Sequence, residues 1–399
     1  MKKKVSIIGG GSSALFVASF LDTKKFDVTI YEKNKTLGRK FLVAGKGGFN
    51  LTHSENITDF IERYTPSEFL KKALLNFDNN HFKDWLEEIG IETYIGSSKR
   101  IYPEKGIKPI EVLNAIISTL EKKNVAIKYN HTWLGFNAEN ELLFNKNQIV
   151  NSDYTIFALG GGSWKVTGSD GTWLDVFRNK GVSTTPFQVS NCAFGINWNS
   201  EFIKNFEGNP LKNIAITCDN KKQKGEAVIT KFGLEGNAIY GLSPQIREAL
   251  ESNKKAQIYI DLKPTFTLDI LTQKVKQSTY KNTTQVLKKE LKLSEVQIGL
   301  LKNYLTKEAF LNEDLLIKNI KNFPLEITET ANLDEAISTV GGISLNAVDH
   351  NFELKNLQNH FCIGEMLDWD APTGGYLLQA CASMGVLLAK NLNEKITEF

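Results

Sequence analysis

The residues of this chain best suited to chemistry are small ones that follow its first apolar segment. Gly9, Gly11 and Ala14 take the three small positions of a G-x-G-x-x-G/A pattern, with Ser12 and Ser13 between them. In this pattern the first glycine permits a tight turn, the second lets the backbone approach a pyrophosphate, and the third small residue lets a helix pack closely on a strand. The free amides at the start of that helix then face the phosphates. The spacing therefore predicts a dinucleotide-binding turn.

An acidic residue stands where the same pattern requires one. Glu32 ends the second apolar segment, 27–31, about 20 residues beyond the glycines as the pattern demands. A carboxylate at this place accepts hydrogen bonds from a ribose diol and disfavours a 2′-phosphate. Glu32, with Lys33 beside it as a further predicted cofactor contact, therefore indicates an unphosphorylated adenosine ribose, as in FAD or NAD. The alternative is a glycine turn with no ligand.

A glycine-rich and basic segment, 38–53, favours FAD over NAD. A flavin dinucleotide is long and has to be held along its whole length, whereas an NAD dehydrogenase would continue into an ordinary helix here. Glycines permit close backbone approach and basic side chains offset phosphate charge. The alternative is a surface loop with solvated charges. The predicted cofactor contacts in this segment are Arg39, Lys40, Gly45, Gly47 and Asn50.

Later parts of the chain complete the predicted cofactor site. Glu365 is expected to accept hydrogen bonds from ribitol hydroxyls. An apolar helix that ends near Leu392 is expected to direct its N-terminus at the flavin pyrimidine edge, where negative charge develops on reduction. Thr132 is placed near the adenine by analogy with similar folds. The remaining predicted contacts are Ala158, Gly160, Gly364, Asp368, Thr373, Gly374, Gly375 and Tyr376.

Together these motifs resemble those of a bacterial family of FAD-binding oxidoreductases. That family includes aminoacetone-oxidase-like, bile-acid-reductase-like and rRNA dihydrouridine-synthase-like flavoproteins. Two departures, Ala14 in place of glycine and Phe49 in place of cysteine in an Arg-Cys-Asn sequence, indicate a distinct branch. The resemblance covers essentially the whole chain and rests on segments 8–11, 38–40, 47–53, 159–164, 168–171, 225–226, 236–240 and 364–376.

The resemblance implies an α/β fold with a discontinuous, Rossmann-like FAD-binding domain, an inserted β-barrel-like domain and a small helical subdomain. The sequence agrees, because dinucleotide-type motifs occupy both ends of the chain while the middle is first β-rich and then helical and lysine-rich. The expected boundaries are 1–186 and 341–399 for the FAD-binding domain, 187–264 and 322–340 for the inserted domain, and 265–321 for the helical insert.

Composition limits the class of protein. At roughly 150 residues per domain, 399 residues indicate two or three domains. Forty-eight Lys and Arg against 45 Asp and Glu leave a net charge of +3, too small to indicate a basic nucleic-acid binder. Four scattered cysteines without a CxxC pair argue against a disulfide scaffold and a structural zinc site. No apolar run reaches the roughly 18 residues of a membrane span. We therefore expect a soluble, cytoplasmic protein without a metal site or a membrane partner.

The expected activity follows from the cofactor, while catalytic residues stay unassigned. No second glycine pattern marks a separate nicotinamide domain, so electrons are expected to reach the flavin from NAD(P)H as a transient donor or from a small-molecule substrate. The leading hypothesis is hydride transfer through flavin N5 that reduces an activated C=C or oxidises a small amine or alcohol. The alternatives are an RNA-modifying enzyme that reduces uridine in rRNA, and a non-catalytic flavin sensor. RNA is the less favoured partner because acidic residues interrupt the lysines of 265–321, and nothing indicates an oligomeric state.

Several side chains near these motifs permit more than one interpretation. His53 is a candidate proton donor or a structural hydrogen-bonding residue. Trp164 and Trp369 are candidate cavity walls or core residues. Lys46 is a candidate cofactor contact, a stabiliser of reduced flavin or a solvated side chain.

Overall fold

The computed structural model describes residues 1–43 and 48–396. The chain divides into two compact units, Met1–Val189 with Leu333–Phe399, and Ser190–Asn332. The segment expected to return from the inserted domain, 322–340, is therefore shared between the two units, with the division after Asn332.

Strands occur throughout both units. They are β1 Lys3–Ile8, β2 Phe26–Glu32, β3 Thr52–His53, β4 Thr93–Ile95, β5 Arg100–Pro103, β6 Ala126–Tyr129, β7 Trp133–Phe136, β8 Leu142–Phe144, β9 Gln148–Val150, β10 Tyr154–Phe157, β11 Thr184–Ser190, β12 Phe194–Gly195, β13 Pro210–Cys218, β14 Lys221–Ile229, β15 Gly233–Glu235, β16 Ala256–Asp261, β17 Phe323–Ile327, β18 Glu329–Thr330, β19 Ser338–Ile343 and β20 His360–Cys362.

Helices alternate with these strands. They are α1 Ser12–Phe20, α2 Arg39–Val43, α3 Ile57–Ile61, α4 Ser67–Asn76, α5 Asn79–Glu88, α6 Pro109–Lys122, α7 Leu174–Asn179, α8 Ser200–Phe206, α9 Asn237–Tyr240, α10 Ser243–Asn253, α11 Leu268–Lys276, α12 Thr283–Lys289, α13 Glu295–Tyr304, α14 Lys307–Leu311, α15 Glu313–Lys321 and α16 Tyr376–Lys395.

A five-stranded parallel sheet forms the centre of the first unit. Its order is β20-β10-β1-β2-β6, and every adjacent pair is parallel. The apolar runs around Ile7, Ile30 and Ile156 are fully buried, as expected for parallel strands covered on both faces. The chain leaves β1 towards β2 on one side and later returns to β10 on the other. In such sheets ligands bind beyond the carboxyl ends of the strands at this switch point.

Helix α1 packs against β1 and β2 of this sheet, and α16, at the end of the chain, packs on α1. A Cβ atom on Gly385 of α16 would lie 2.8 Å from the Val17 nitrogen of α1. Glycine is therefore required for the two helices to approach this closely. The predicted apolar C-terminal helix is confirmed and runs to Lys395.

Aromatic contacts attach a three-stranded antiparallel meander, β7-β8-β9, to the parallel sheet. Phe144 of β8 stacks on Tyr31 of β2 with ring centroids 4.6 Å apart, and Trp133 of β7 contacts Phe157 of β10 at 4.8 Å. These contacts place the residues that precede the meander, including Thr132, beside the ends of β1 and β2.

The second unit contains a seven-stranded sheet in the order β17-β16-β13-β14-β15-β12-β18, paired antiparallel throughout. The two edge strands, β17 and β18, are separated in the chain by Thr328 alone. One short segment therefore supplies both edges of the sheet. The sheet therefore curls back on itself, as the barrel-like expectation required. Helices α11–α15 lie in the chain between β16 and β17, and four leucines of this region are buried. They are Leu287, Leu291, Leu300 and Leu301.

Within the described residues, no helix combines the length and the apolar character that crossing a membrane requires.

Candidate functional site

A cavity of about 690 Å³ opens beyond the carboxyl ends of β1 and β10. Its volume lies within the roughly 300–1,000 Å³ range of small-molecule sites. All of its lining residues belong to the first unit, and they come from both ends of the chain. The predicted contacts that line it are Gly9, Gly11, Ser12, Ser13, Glu32, Lys33, Arg39, Lys40, Asn50, Thr132, Ala158, Gly160, Glu365, Thr373, Gly374 and Gly375.

The glycine turn after β1 has the geometry that the sequence pattern requires. Gly9 has φ +100°, and a Cβ atom there would lie 2.5 Å from the carbonyl oxygen of Ala158. Gly11 differs, because a Cβ atom added to it would have no protein atom within 4 Å. The first glycine is therefore needed by the turn itself, and the second faces open space in the cavity.

Within residues 1–43 and 48–396, the helix that follows this turn begins without a capping side chain. Gly11 is its N-cap, no side chain caps it, and its first turn carries no acidic residue. The first amides of a helix have no intrahelical acceptor and attract anions. An anionic group such as a pyrophosphate would supply the missing acceptors.

Glu32 is fixed at the adjoining end of β2 by the backbone. Its Oε2 accepts a 2.7 Å hydrogen bond from the amide of Gly10, and its Oε1 accepts one from the amide of Asn34 at 2.8 Å. The residue is 7% exposed and still lines the cavity. A buried carboxylate at this position can accept further hydrogen bonds from hydroxyl groups.

Polar contacts connect two chain segments at the rim of the cavity. Nζ of Lys33 lies 2.7 Å from Oδ2 of Asp170. Arg39 donates to Oδ1 of Asn34 at 2.7 Å and to the carbonyl of Val166 at 2.8 Å. These bonds join the segment after β2 to the segment after Gly160.

The glycine-rich and basic segment that begins at Gly38 starts as a short helix, α2. Gly38 has φ +62° and its carbonyl accepts a hydrogen bond from Leu42, which closes the first turn of α2. This turn directs Lys40 at Ser163 and Glu365, with Nζ 3.1 Å from Oγ and 3.4 Å from Oε2. Gly45, Lys46 and Gly47 lie outside the described residues.

A second helix N-terminus borders the cavity, that of α16. Its N-cap Gly375 has φ +102°, and neither a capping side chain nor an acidic residue of the first turn compensates its positive end. A Cβ atom on Gly375 would lie 2.5 Å from the Cα of Thr52. The glycine is therefore required by the close contact with β3.

The chain matches the family described as the HI0933-like protein Rossmann domain over residues 3–391. It belongs to the HI0933-like family. This is a family of FAD-binding Rossmann oxidoreductases, and the predicted resemblance is confirmed. The uncapped helix ends, the open space at Gly11 and the carboxylate of Glu32 are features of this structure that fit such a cofactor.

Two curated relatives resemble this HI0933-like chain along nearly its whole length. A 3-dehydro-bile acid delta(4,6)-reductase of Clostridium scindens is 23% identical and aligns over 98% of this chain and 99% of its own. A ribosomal RNA dihydrouridine synthase of Haemophilus influenzae is 24% identical and aligns over 98% of both chains. Among solved structures, a flavocytochrome c3 fumarate reductase has a TM-score of 0.50 at 14% identity, over 98% of this chain and 78% of its own. That last similarity concerns the fold.

Four predicted contacts of the HI0933-like chain do not line the cavity. Ala14 is fully buried beneath the glycine turn, where its small size permits packing. Gly364 lies against Ser13, whose Oγ would be 2.3 Å from an added Cβ atom. Oδ1 of Asp368 accepts from the amide of Gly341. The hydroxyl of Tyr376 donates to Glu55. Asp368 and Tyr376 are thus engaged by protein groups, and their assignment to the cofactor stays a prediction.

His53 does not line the cavity. With Glu55, Arg63 and Tyr376 it forms a polar cluster beside α16. Its Nδ1 accepts from the amide of Glu55 at 3.2 Å, and its ring stacks on Tyr376. Burial lowers the pKa of His53, and the charge of Glu55 only partly offsets this. The geometry therefore favours the structural interpretation of His53 over that of a proton donor.

The two candidate cavity tryptophans are not cavity walls. Trp369 is 2% exposed and donates from Nε1 to the carbonyl of Gly364 at 2.9 Å. Trp164 stands in a left-handed turn with φ +59°, and it too is absent from the lining. Trp133 and Trp173 line the cavity instead. Their positions depend on contacts between distant segments, which a local sequence pattern does not contain.

Cys381 is the cysteine that borders the cavity in the described part of the chain. Burial and the charge of Glu365 raise its pKa to about 12, against a smaller opposing effect of a hydrogen bond with Ser13. The thiol is therefore neutral and unsuited to nucleophilic chemistry. Within 1–43 and 48–396, no group of three or more His, Cys, Asp or Glu side chains is arranged to hold a metal ion.

Arg100 also lines the cavity, at the end near Asn50 and Gly374. No local sequence motif marks Arg100 as a site residue, because it lies in the short strand β5. Its strand neighbours, Thr52 and His53, belong to the segment that follows the predicted flavin loop.

Proposed function

We propose that this protein is an FAD-dependent reductase that saturates a C=C bond conjugated to a carbonyl group, with NAD(P)H as electron donor. The observation that carries the proposal is the full-length similarity to two relatives named for such reductions. A delta(4,6)-reductase of a 3-dehydro-bile acid and a dihydrouridine synthase both act on ring C=C bonds conjugated to carbonyl groups. We assign to this chain the reduction of a conjugated C=C bond that the two relatives share, and not the substrate of either.

Different residues along the cavity would bind different parts of FAD. The turn Gly9–Ser13 and the start of α1 would hold the pyrophosphate, and Glu32 the adenosine ribose. Glu365 would bind ribitol hydroxyls, and Gly374 with Gly375 would face the pyrimidine edge. FAD, when bound, supplies a two-electron carrier that exchanges a hydride at N5.

The protein's own groups contribute orientation and charge. Lys40 and Glu365 lie 3.4 Å apart and are partly shielded from solvent, so the cation can offset negative charge while the carboxylate accepts hydrogen bonds. Because the thiol of Cys381 is neutral, it does not act as a thiolate nucleophile towards the substrate. Arg100 adds a positive charge at the α16 end of the cavity.

The test is a stepwise anaerobic reaction of purified holoprotein followed by visible absorption. NADH or NADPH is expected to bleach the flavin band, and a 3-oxo-Δ4 steroid or another cyclic enone is expected to restore it. The Glu32→Ala variant, which should lack flavin, controls for reduction independent of the site. A band that persists with both nucleotides would contradict the proposal and favour a substrate-reduced oxidase or a flavin sensor.

A second candidate is reduction of uridine in RNA, favoured by one feature of the second unit. Segment 263–292 contains seven lysines and two acidic residues. Lys263 and Lys274 lie over the ring of Phe266 at 5.9 and 5.5 Å, and Tyr280 is 40% exposed. Basic residues interleaved with aromatic ones are typical of nucleic-acid surfaces.

This candidate predicts binding of ribosomal RNA that weakens steeply with salt. Lys274→Glu combined with Lys281→Glu should weaken binding in a gel-shift titration. Lys2→Glu combined with Lys35→Glu, which makes the same charge change in the first unit, should not. No binding of ribosomal RNA at low salt would exclude the candidate and leave the small-molecule proposal intact.

A further inference from the structure

The guanidinium of Arg100 lies at the end of the cavity nearest α16. A Cβ atom on Gly374 would be 3.3 Å from its Nε and 3.7 Å from its Nη2, so the charged group itself adjoins the glycines that open the helix. The residue projects from β5, in register with His53 of β3. Ile101, the next residue along the strand, is buried, and alternation along the strand leaves Arg100 on the cavity side.

The nearest acidic group of the polar cluster beside α16 is already neutralised. Glu55 accepts two hydrogen bonds from Arg63, Nε to Oε1 at 3.1 Å and Nη2 to Oε2 at 2.8 Å. The hydroxyl of Tyr376 donates to the same Oε1. Both carboxylate oxygens are therefore engaged by groups other than Arg100.

Arg100 itself has no ion pair in the part of the chain that the structure describes, since no carboxylate of residues 1–43 or 48–396 lies within 4.0 Å of it. The neighbouring N-terminus of α16 adds positive potential without a capping carboxylate. A guanidinium that lines a cavity beside a helix N-terminus favours the binding of a negatively charged group there. Its planar donors suit an oxygen of a carbonyl, an enolate or a carboxylate.

We propose that Arg100 forms a subsite for an oxygen atom that carries negative charge, such as the oxygen of a conjugated carbonyl group during reduction. The inference rests on the proposed function, since it concerns the same cavity. Two sources of this oxygen share the chemistry, the substrate carbonyl and the pyrimidine carbonyl of the flavin. In either case Arg100 binds the oxygen more tightly as its negative charge increases.

The experiment uses FAD-loaded protein and 4-nitrophenol, a coloured phenol whose anion mimics an enolate. Wild type is compared with Arg100→Gln and Arg100→Lys. Lys99→Gln is the matched control, because it removes the same charge from an exposed neighbour that does not line the cavity. One arm measures the affinity for the phenolate, and the other measures the midpoint potential of the bound flavin against reference dyes. Flavin content verifies that each variant folds.

Loss of the charged hydrogen bond should weaken phenolate binding by about 10- to 100-fold in Arg100→Gln and less in Arg100→Lys, with Lys99→Gln unchanged. That result with an unchanged potential assigns the subsite to substrate. A potential lowered by about 30 mV, a tenfold effect for a two-electron couple, with unchanged phenolate affinity assigns it to the flavin. Loaded variants that match wild type in both arms would overturn the inference alone, whereas wild type that takes up no FAD would overturn the proposed function.

Discussion

The backbone amide of Gly10 donates a 2.7 Å hydrogen bond to Oε2 of Glu32. These residues are 22 positions apart, with Gly10 just beyond β1 and Glu32 at the end of the adjacent parallel strand β2. The carboxylate thus holds the glycine turn in place as well as facing the cavity. The two halves of the dinucleotide pattern form one structural unit in the protein itself.

Replacing Glu32 with glutamine should weaken FAD binding and should also destabilise the glycine turn. Glutamine keeps the shape, but it loses the charge, and one of its two acceptors becomes a donor that faces the Gly10 or Asn34 amide. The ribose hydroxyls also lose a charged acceptor, and a charge-assisted hydrogen bond contributes about 1.5–3 kcal/mol, so the Kd for FAD should rise at least about tenfold. Fluorescence titration of apoprotein measures this, with exposed Glu139→Gln as the control. An unchanged Kd would remove Glu32 from the site.

Alanine at the two pattern glycines should separate folding from binding. Gly11→Ala places a methyl group in open space at an ordinary φ of −81°, so thermal stability of the apoprotein should hardly change while FAD affinity falls. Gly9→Ala meets a carbonyl oxygen at 2.5 Å and strains a φ of +100°, so stability should fall as well. Thermal melts and FAD titrations of both variants provide the comparison. Gly11→Ala with full FAD affinity would mean that the cofactor does not occupy that space.

The ion pair between Lys33 and Asp170 should slow the release of FAD. Both side chains are about one-third exposed, so the pair contributes at most about 1 kcal/mol, or roughly fivefold in rate. Asp170→Asn should accelerate FAD dissociation by up to that factor and reduce the dependence of the rate on salt. Stopped-flow dilution of holoprotein measures the rate, and Asp175→Asn, a mostly exposed carboxylate in the same segment, is the control. Equal rates for wild type and Asp170→Asn would show that the rim contact does not retain the cofactor.

His53 should make the protein less stable in mild acid. Burial lowers its pKa below the ordinary value of 6.5, so below about pH 6.5 the unfolded chain binds a proton that the folded chain does not. The free energy of unfolding should therefore fall as pH decreases towards the folded pKa, by up to about 1.4 kcal/mol per pH unit for this residue.

His53→Asn retains an acceptor near the Nδ1 position and should flatten this part of the profile. Urea denaturation from about pH 8 to about pH 5 covers the relevant titration. His350→Asn, at an exposed site, should leave the slope unchanged. A slope identical in wild type and His53→Asn would show that His53 does not titrate differently on folding.

Local patterns account for the parts of the site that could be predicted. The turn around Gly9, the carboxylate of Glu32 and the start of α16 near Gly375 each depend on neighbours in the chain, and all three border the cavity. The helices of 268–321 follow from hydrophobic periodicity in the same way.

The parts that were missed depend on contacts between distant segments. Arg100 reaches the cavity because β5 pairs with β3 across nearly fifty residues. Tyr376 turns away because its hydroxyl donates a hydrogen bond to Glu55, far along the chain. Both pairs join positions too far apart in the chain for a local sequence pattern to reveal.

The most direct test of the account is the visible spectrum and flavin content of the purified protein beside Gly11→Ala. The account predicts a flavin band close to one FAD per chain in wild type, and a strongly reduced band in a variant with unchanged thermal stability as apoprotein. A colourless wild-type protein that cannot be reconstituted with FAD would contradict the central claim that this cavity is a flavin site.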